Sequence, residues 1–205
     1  MIMESNFEQL KKVVEGLGHV FFIGDLNINL IGVRTEDVIT NEFDDELFVA
    51  IEMGGNEQVM SFKDFTTDPG FYYLKKKFLN PKGCAILKPG QYRGMWALGR
   101  HRGLYQALVQ VGKCTVFRDR NKDNTVTKNT EDTGLFGINM HHAYDTKNNI
   151  NKHSAGCQTH RKREQLGAVL GMCKASAKKY GSKFTYTLIM KADLPEGFMQ
   201  SSEEE

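Results

Sequence analysis

A chain of 205 residues, 40% apolar and 25% charged, is typical of a globular domain with a sizeable core, which excludes a fibrous or wholly disordered protein. The formal charge of +2 gives no indication of a nucleic-acid partner. No apolar run reaches the length of a membrane span, and Met1–Leu17 lacks the pattern of a signal peptide. We therefore expect a protein made in the cytoplasm, without a membrane span.

The predicted elements begin with a helix. Apolar residues recur at helical spacing over Phe7–Leu17, Ser5 is a suitable N-cap and Gly18 a suitable stop. Strands are predicted at Val20–Ile23, Ile28–Val33, Leu47–Glu52, Gln58–Phe62, Phe71–Leu74, Ala85–Leu87, Met95–Leu98, Leu104–Gln110, Cys114–Arg118, Ile138–His141 and Phe184–Met190. A helix bearing Leu166–Ala177 on one face is expected to begin soon after Cys157 and to end near Gly181. Short strands between Gly and Pro turns predict a mainly β core with these two helices.

The most distinctive stretch is Ile138-Asn139-Met140-His141-His142, followed by Ser154-Ala155-Gly156-Cys157. The first segment is a short strand that carries a histidine. The second places a cysteine behind small residues, which let the backbone turn tightly and aim its N–H groups at one point. A thiol with a nearby imidazole is typical of nucleophilic catalysis. The sequence therefore predicts Cys157 as a nucleophile and His141 as its base.

Three alternatives bear on this assignment. Cys84, Cys114 and Cys173 lie in apolar surroundings typical of core residues, so the nucleophile prediction rests on Cys157 alone. His142 would face the opposite side of the strand from His141. His153, Cys157 and His160 are also zinc-ligand types, although without the usual paired spacing. We expect the basic run His160–Arg163, read as a helix start, to lower the pKa of Cys157.

These motifs resemble the L,D-transpeptidase (YkuD-like) catalytic domain, and in particular divergent members encoded by bacteriophages. The similarity covers roughly Thr66 to Gln158. The turn Thr67-Asp68-Pro69-Gly70 is similar to the family's entry into its sheet. The strand ending at His141 is similar to the segment bearing the base, and Ser154–Cys157 is similar to the nucleophile loop.

The resemblance implies a β-sandwich or barrel core and a thioester on Cys157 formed with a peptidoglycan stem peptide. It implies that the backbone N–H groups of Gly156 and Cys157 bind the oxyanion, that Ser154 and Ala155 complete the loop, and that no metal or other cofactor is used. Residues 1–64 have no counterpart, so we expect an N-terminal extension packed on a catalytic domain of residues 65–200, with a disordered tail at 201–205.

Two positions depart from the family pattern. Glycine usually follows the histidine, where this chain has His142. Arginine usually stands two residues after the cysteine, where this chain has Thr159. A substrate carboxylate must then be bound by another arginine, and we rank Arg161 first, above Arg163, Arg100 and Arg102.

The expected function is hydrolysis of peptidoglycan stem peptides by a phage enzyme, carried in the virion beside other virion proteins or released to the cell wall at lysis. The alternatives are true transpeptidation, a non-catalytic virion component that binds the cell wall, and a zinc hydrolase.

Overall fold

The computed structural model describes residues 4–36, 40–123, 125–128, 130–147 and 149–199. The helices are α1 Asn6–Gly16 and α2 Arg163–Tyr180, with a π-helical turn at Tyr72–Lys76 and a 3₁₀ turn at Lys191–Asp193. The strands are β1 Asn29–Arg34, β2 Asp45–Met53, β3 Asn56–Thr66, β4 Cys84–Leu87, β5 Gly90–His101, β6 Tyr105–Gln110, β7 Cys114–Asp119, β8 Thr130–Gly134, β9 Met140–His142, β10 Gln158–His160 and β11 Lys183–Met190.

Eight strands close into a barrel in the order β1-β11-β5-β6-β9-β10-β3-β2, and β4, β7 and β8 form a separate three-stranded sheet. Two barrel pairs are parallel: β1 with β11, and β9 with β10. The expectation of a mainly β protein is confirmed. None of the described helices is long and apolar enough to cross a membrane.

The barrel interior is filled by large side chains whose polar atoms are paired. Trp96 and Tyr186 are fully buried with their rings 4.5 Å apart. The Trp96 indole N–H donates to the Ile138 carbonyl at 2.7 Å, and the Tyr186 hydroxyl donates to Gln158 at 2.7 Å. These bonds attach the core directly to the segments that enter β9 and begin β10.

The two helices pack in different hydrophobic clusters. Helix α1 buries Phe7, Leu10 and Val14 against a cluster that includes Phe48 and Ile189. Helix α2 contributes four apolar side chains to the main core, Leu166, Val169, Leu170 and Cys173. The N-cap prediction is confirmed, because the Ser5 hydroxyl accepts the Glu8 N–H at 3.3 Å.

Most predicted strands and the hairpin at Gly54-Gly55 are present, but two strand predictions are wrong. Val20–Ile23 forms no ladder, because the Asn29 side chain satisfies both the N–H and the carbonyl of Phe22 at 2.8 Å. Phe71–Leu74 enters the π-helical turn, where the N–H groups of two consecutive residues both reach the Gly70 carbonyl.

The predicted division into an extension over 1–64 and a catalytic domain over 65–200 is also corrected. Its boundary falls inside β3, and residues before 65 supply β1, β2 and most of β3 to the closed barrel. The N-terminal segment is therefore part of the same barrel as the later strands. The tail expected at 201–205 lies outside the described residues.

One core histidine lacks a hydrogen bond. His160 is fully buried, its ring lies 4.8 Å from the Phe65 ring, and neither of its ring nitrogens has a hydrogen-bond partner among the described residues. Burial lowers its pKa to about 3, and the nearby Gln165 side chain offsets only part of that effect. The native state therefore holds His160 neutral at a pH where the unfolded chain would protonate it.

We expect His160→Phe to make the protein less sensitive to acid. A histidine whose pKa is lowered by folding costs stability as pH falls below its unfolded value of about 6.5, here by about 2 kcal/mol at pH 5. The drop in unfolding free energy from pH 7 to pH 5, measured with urea, should be smaller by that amount in the variant. Asp45, whose pKa is raised to about 6, acts in the opposite direction in both proteins and cancels from the comparison. An equal drop in the two proteins would show that His160 does not titrate in this way.

Candidate active site

The parallel pairing of β9 with β10 brings the predicted nucleophile and base to one face. His141 lies opposite Thr159 in the register, and the neighbouring Met140–Gln158 pair points into the core. Side chains alternate along a strand, so His141 and Thr159 face away from the barrel core, and both are still buried. Cys157 is two residues before Thr159 and lies on the same side. The structure thus places Cys157 and His141 on adjacent chain segments at the outside of the barrel.

The nucleophile loop is held by its serine. The Ser154 hydroxyl accepts the Gly156 N–H at 3.1 Å and donates to the Cys157 carbonyl at 3.0 Å. Gly156 has φ +114°, and a Cβ there would overlap the carbonyl oxygen of Ala85 on β4. Only glycine allows this close approach. The small-residue motif therefore reflects a packed turn against β4.

This arrangement leaves one oxyanion donor of the two expected. The Gly156 N–H is used by Ser154, which corrects the prediction that it would bind an oxyanion. Among the described residues, the Cys157 N–H has no hydrogen-bond partner. Of the two N–H groups expected to bind an oxyanion, it is the one that the loop does not already use, and its role stays a prediction.

Hydrogen bonds define the tautomer of His141. Its Nδ1 lies 3.0 Å from the His142 carbonyl oxygen, which can only accept, so Nδ1 carries the proton. The Nε2 lone pair faces the Thr159 hydroxyl at 3.3 Å, and the same hydroxyl lies 3.3 Å from the Cys157 carbonyl. His141 is thus oriented as a base through Nε2, with Thr159 able to turn between two acceptors.

A second imidazole, absent from the sequence prediction, supports the first. The His101 ring, at the end of β5, stacks on the His141 ring with centroids 4.1 Å apart. Asn139 accepts the Gln110 N–H at 2.9 Å, which turns its amide NH₂ toward His101 Nδ1 at 3.1 Å. His101 therefore carries its proton on Nε2. The sequence around His101 has no motif that indicates this contact, since it depends on the β5–β6 hairpin lying beside β9.

Burial keeps both reacting groups neutral. It lowers the pKa of His141 to about 3, and His101 adds to that effect. It also raises the pKa of Cys157, although the Asn139 N–H and the charge of Arg102 offset part of the rise. The expectation of a lowered cysteine pKa is wrong, because α2 begins only at Arg163 and Cys157 leads instead into β10.

The thiol and the imidazole are not hydrogen-bonded to each other in this structure. The Cys157 Sγ lies 3.4 Å from the Gly137 carbonyl oxygen, to which it donates. The resting state is therefore a neutral thiol beside a neutral imidazole. Attack requires the thiol to turn from Gly137 toward His141 Nε2.

We expect Cys157 to be alkylated faster than the other three cysteines, with a rate that keeps rising above pH 8.5. Cys157 is partly exposed, whereas the other three are buried. Only the thiolate reacts, and its pKa lies above the ordinary value of about 8.5. Peptide mass spectrometry after timed iodoacetamide pulses from pH 6 to 10 measures this. A rate at Cys157 that levels off below pH 8 would contradict the neutral resting state.

The structure does not bring Arg161, the first-ranked arginine, to the thiol. Arg161 follows β10 whereas Cys157 precedes it, so an extended strand of roughly 10 Å separates them. Its guanidinium pairs with Asp64 and donates to the Lys147 carbonyl at 2.8 Å. Its predicted role as the carboxylate-binding residue is therefore corrected.

The other three candidate arginines differ in whether their side chains are already paired. Arg163 pairs with Asp145 at 3.0 Å, and Arg100 donates to the carbonyls of its own hairpin turn. Arg102 is exposed in that turn, makes no ion pair or side-chain hydrogen bond among the described residues, and lies close enough to Cys157 to affect its pKa. Arg102 is the arginine best placed to bind a substrate.

A cavity of about 220 Å³ lies on the other side of the nucleophile loop. Ala155 and Phe136 line the side of the cavity nearest the Cys157 thiol. Phe136 directly precedes Gly137, whose carbonyl oxygen accepts the thiol hydrogen. Leu79 and Leu135, both also in the lining, are largely exposed. This cavity gives a substrate side chain a place beside the site.

The segment behind the loop is held by a buried ionic cluster. Gly70 N–H donates to the Ser154 carbonyl at 2.9 Å. Three residues before Gly70, the Thr67 hydroxyl accepts a hydrogen bond from the Arg34 guanidinium at 2.6 Å, and the Thr67 N–H donates to Asp45 at 2.7 Å. Asp68 lies 3.3 Å from Arg34. The Thr67–Gly70 turn is therefore a rigid support for the nucleophile loop.

The possible metal ligands do not gather. Among the residues that the structure describes, no three His, Cys, Asp or Glu side chains are arranged to hold an ion. His160 points into the core between aromatic rings, whereas Cys157 is at the surface.

Comparisons of the chain with protein-family models, with curated proteins and with solved structures find no match.

Proposed function

We propose that this protein is a cysteine-dependent acyl-transfer enzyme that acts on peptidoglycan stem peptides through a thioester on Cys157. The observation that supports the chemistry best is the β9–β10 register, which pairs His141 with Thr159, two residues after the partly exposed Cys157. The Nε2 of His141 meets the hydroxyl of Thr159 at 3.3 Å. The motif resemblance to the L,D-transpeptidases supports the substrate class and the finer identity of the fold. Hydrolysis is the primary form of the proposal and transpeptidation the second.

The reaction begins with general-base catalysis from the neutral pair. As the Cys157 sulfur attacks the peptide carbonyl carbon, its proton passes to His141 Nε2 and a C–S bond forms. The Cys157 N–H stabilises the resulting oxyanion. His142 stabilises the imidazolium through its carbonyl, which accepts from Nδ1 at 3.0 Å.

Collapse of the intermediate breaks the C–N bond and returns the proton from Nε2 to the leaving amine. A water molecule that gives its proton to Nε2 then cleaves the thioester, releasing a carboxylic acid and the thiol. An amine in place of water would give a new cross-link. The Thr159 hydroxyl can move to the Cys157 carbonyl, 3.3 Å away, and so free Nε2 for each transfer.

The setting that we propose is a phage enzyme, carried in the virion or released to the cell wall at lysis. Such an enzyme reaches the wall through the virion or by release at lysis, and degradation of the wall favours water over an amine as acceptor.

Mass spectrometry of purified muropeptides incubated with the protein tests the proposal. Shorter stem peptides support hydrolysis, and joined ones support transpeptidation. Cys157→Ala is the matched control, since alanine preserves the backbone and removes only the sulfur. Unchanged muropeptides, or equal products from the Cys157→Ala variant, would overturn the enzyme assignment and favour a non-catalytic component that binds the wall.

We expect Arg102→Gln to raise KM for stem peptides by about 10-fold or more, because a charge-assisted hydrogen bond to a carboxylate contributes about 1.5–3 kcal/mol. The rate of Cys157 alkylation by iodoacetamide, which is uncharged, should change little. Arg161→Gln is the matched control and should leave KM unaltered. If instead Arg161→Gln raises KM and Arg102→Gln does not, Arg161 is the residue that binds the carboxylate.

A further inference from the structure

Six lysines gather on one surface beside the nucleophile loop. Three lie within the segment Phe71–Phe78 and three come from later parts of the chain, and we call them the lysine patch: Lys75, Lys76, Lys77, Lys122, Lys128 and Lys152. All six are exposed, and none forms an ion pair among the described residues.

Ring contacts show that distant parts of the chain meet here. Lys75 lies over the Phe71 ring at 5.1 Å, and Lys152 lies over Tyr72 at 4.7 Å. Lys122, from the β7–β8 connection, lies over Phe78 at 5.7 Å. Three separate segments therefore direct ammonium groups to a single surface.

The positive charge of this surface is largely unopposed. Asp123 is the nearby exposed carboxylate, and Lys75 helps to lower its pKa. Asp68, which lies near Lys128, is buried and pairs with Arg34. The whole chain has 27 basic and 25 acidic residues, so six unpaired lysines in one place are a local excess that the net charge conceals.

The aromatic rings within the patch limit what it can bind. Phe71, Tyr72 and Phe78 are only partly exposed, and a lysine occupies a face of each. These faces are not free to stack on nucleic-acid bases, nor are the rings free to enter a bilayer. The patch thus presents charge without a stacking platform, which suits a flexible chain of phosphate groups.

We propose that the lysine patch binds a phosphodiester polymer of the cell wall, a polyol phosphate chain of the kind that accompanies peptidoglycan. The location fits this role, because Gly70, next to the patch, donates to Ser154 of the nucleophile loop at 2.9 Å. A wall polymer held there would keep the enzyme beside its proposed substrate. The role as wall anchor rests on the proposed function, but the binding itself requires no chemistry at Cys157.

Fluorescence anisotropy with labelled poly(glycerol phosphate) tests the inference on the full chain. The wild type should bind with an affinity that falls steeply with salt. The triple variant Lys75→Gln, Lys122→Gln, Lys152→Gln should bind at least about 10-fold more weakly. The slope of its log affinity against log salt concentration should be smaller in magnitude by about 2, at roughly 0.7 per lost phosphate contact.

The control removes the same charge elsewhere. Lys113→Gln, Lys178→Gln and Lys183→Gln together change three exposed lysines outside the patch and should alter the affinity less than twofold. Cys157→Ala should bind as the wild type does, so that failure of the catalytic proposal and failure of this one can be told apart.

Three results would overturn the inference. The first is no binding of poly(glycerol phosphate) by the wild type at 50 mM salt. The second is equal weakening by the two triple variants. The third is tighter binding of single-stranded DNA or of phosphatidylglycerol vesicles than of the polymer, which would assign the patch to another class of partner.

Discussion

Replacing Gly156 by alanine is expected to lower the free energy of unfolding by about 3 kcal/mol or more and to abolish turnover. Two costs add together. A non-glycine residue at φ +114° is strained, and its Cβ would overlap the Ala85 carbonyl, which is backbone and cannot turn away. The loop that carries Cys157 must then shift. Urea denaturation and the rate of product formation measure the two effects.

Gly137→Ala is the matched control. Gly137 also has a positive φ, +74°, but a Cβ there would meet nothing within 4 Å. It should cost only about 1 kcal/mol, the backbone strain alone. If both variants lose the same stability, the close approach of the nucleophile loop to β4 is not the reason for glycine at position 156.

His141→Asn is expected to reduce turnover by about 10²–10⁴-fold while the protein stays folded, since this is the usual contribution of a general base. The asparagine NH₂ can keep the hydrogen bond that Nδ1 makes to the His142 carbonyl at 3.0 Å, whereas the Nε2 lone pair is lost. Alanine would instead leave a hole beneath the stacked His101 ring. Single-turnover acylation of Cys157 reports the loss directly.

His153→Asn provides the comparison within the same loop, because the His153 side chain makes no hydrogen bond to the site residues. It should retain turnover within about 3-fold, an effect worth less than 1 kcal/mol. Comparable losses in the two variants would mean that His141 is not the base.

The elements that local patterns specify were predictable from the sequence. The Ser5 cap, the apolar face of α2 and the Gly54-Gly55 turn each depend on neighbouring residues, and all are present. The sequence does not predict strand β10, because its three residues, all with polar side chains, show no strand pattern. They form a strand only because β3 and β9 lie on either side.

The candidate site, too, was predictable only where it depends on neighbouring residues. Small residues before Cys157 indicated a tight turn, and the turn is there. The prediction of a lowered Cys157 pKa is wrong, because the burial that raises it depends on the whole barrel and no local spacing reveals it. The first rank of Arg161 assumes a helix after Cys157, and it fails because the chain continues as a strand. Arg102 and His101 come from a hairpin about 40 residues earlier in the chain, so only the pairing of β6 with β9 brings them near.

The closure of the barrel has a consequence for synthesis. Strand β1 pairs with β11, with Leu30 opposite Tyr186, so the seam joins residues about 150 positions apart. Contacts between such distant residues form late, because closing a long loop loses conformational entropy before any stabilising bond can form. Tyr186 is also the side chain that donates to Gln158 at the start of β10. A nascent chain that does not yet include β11 lacks this support, so the Gln158 end of β10 is fixed only after β11 has been made.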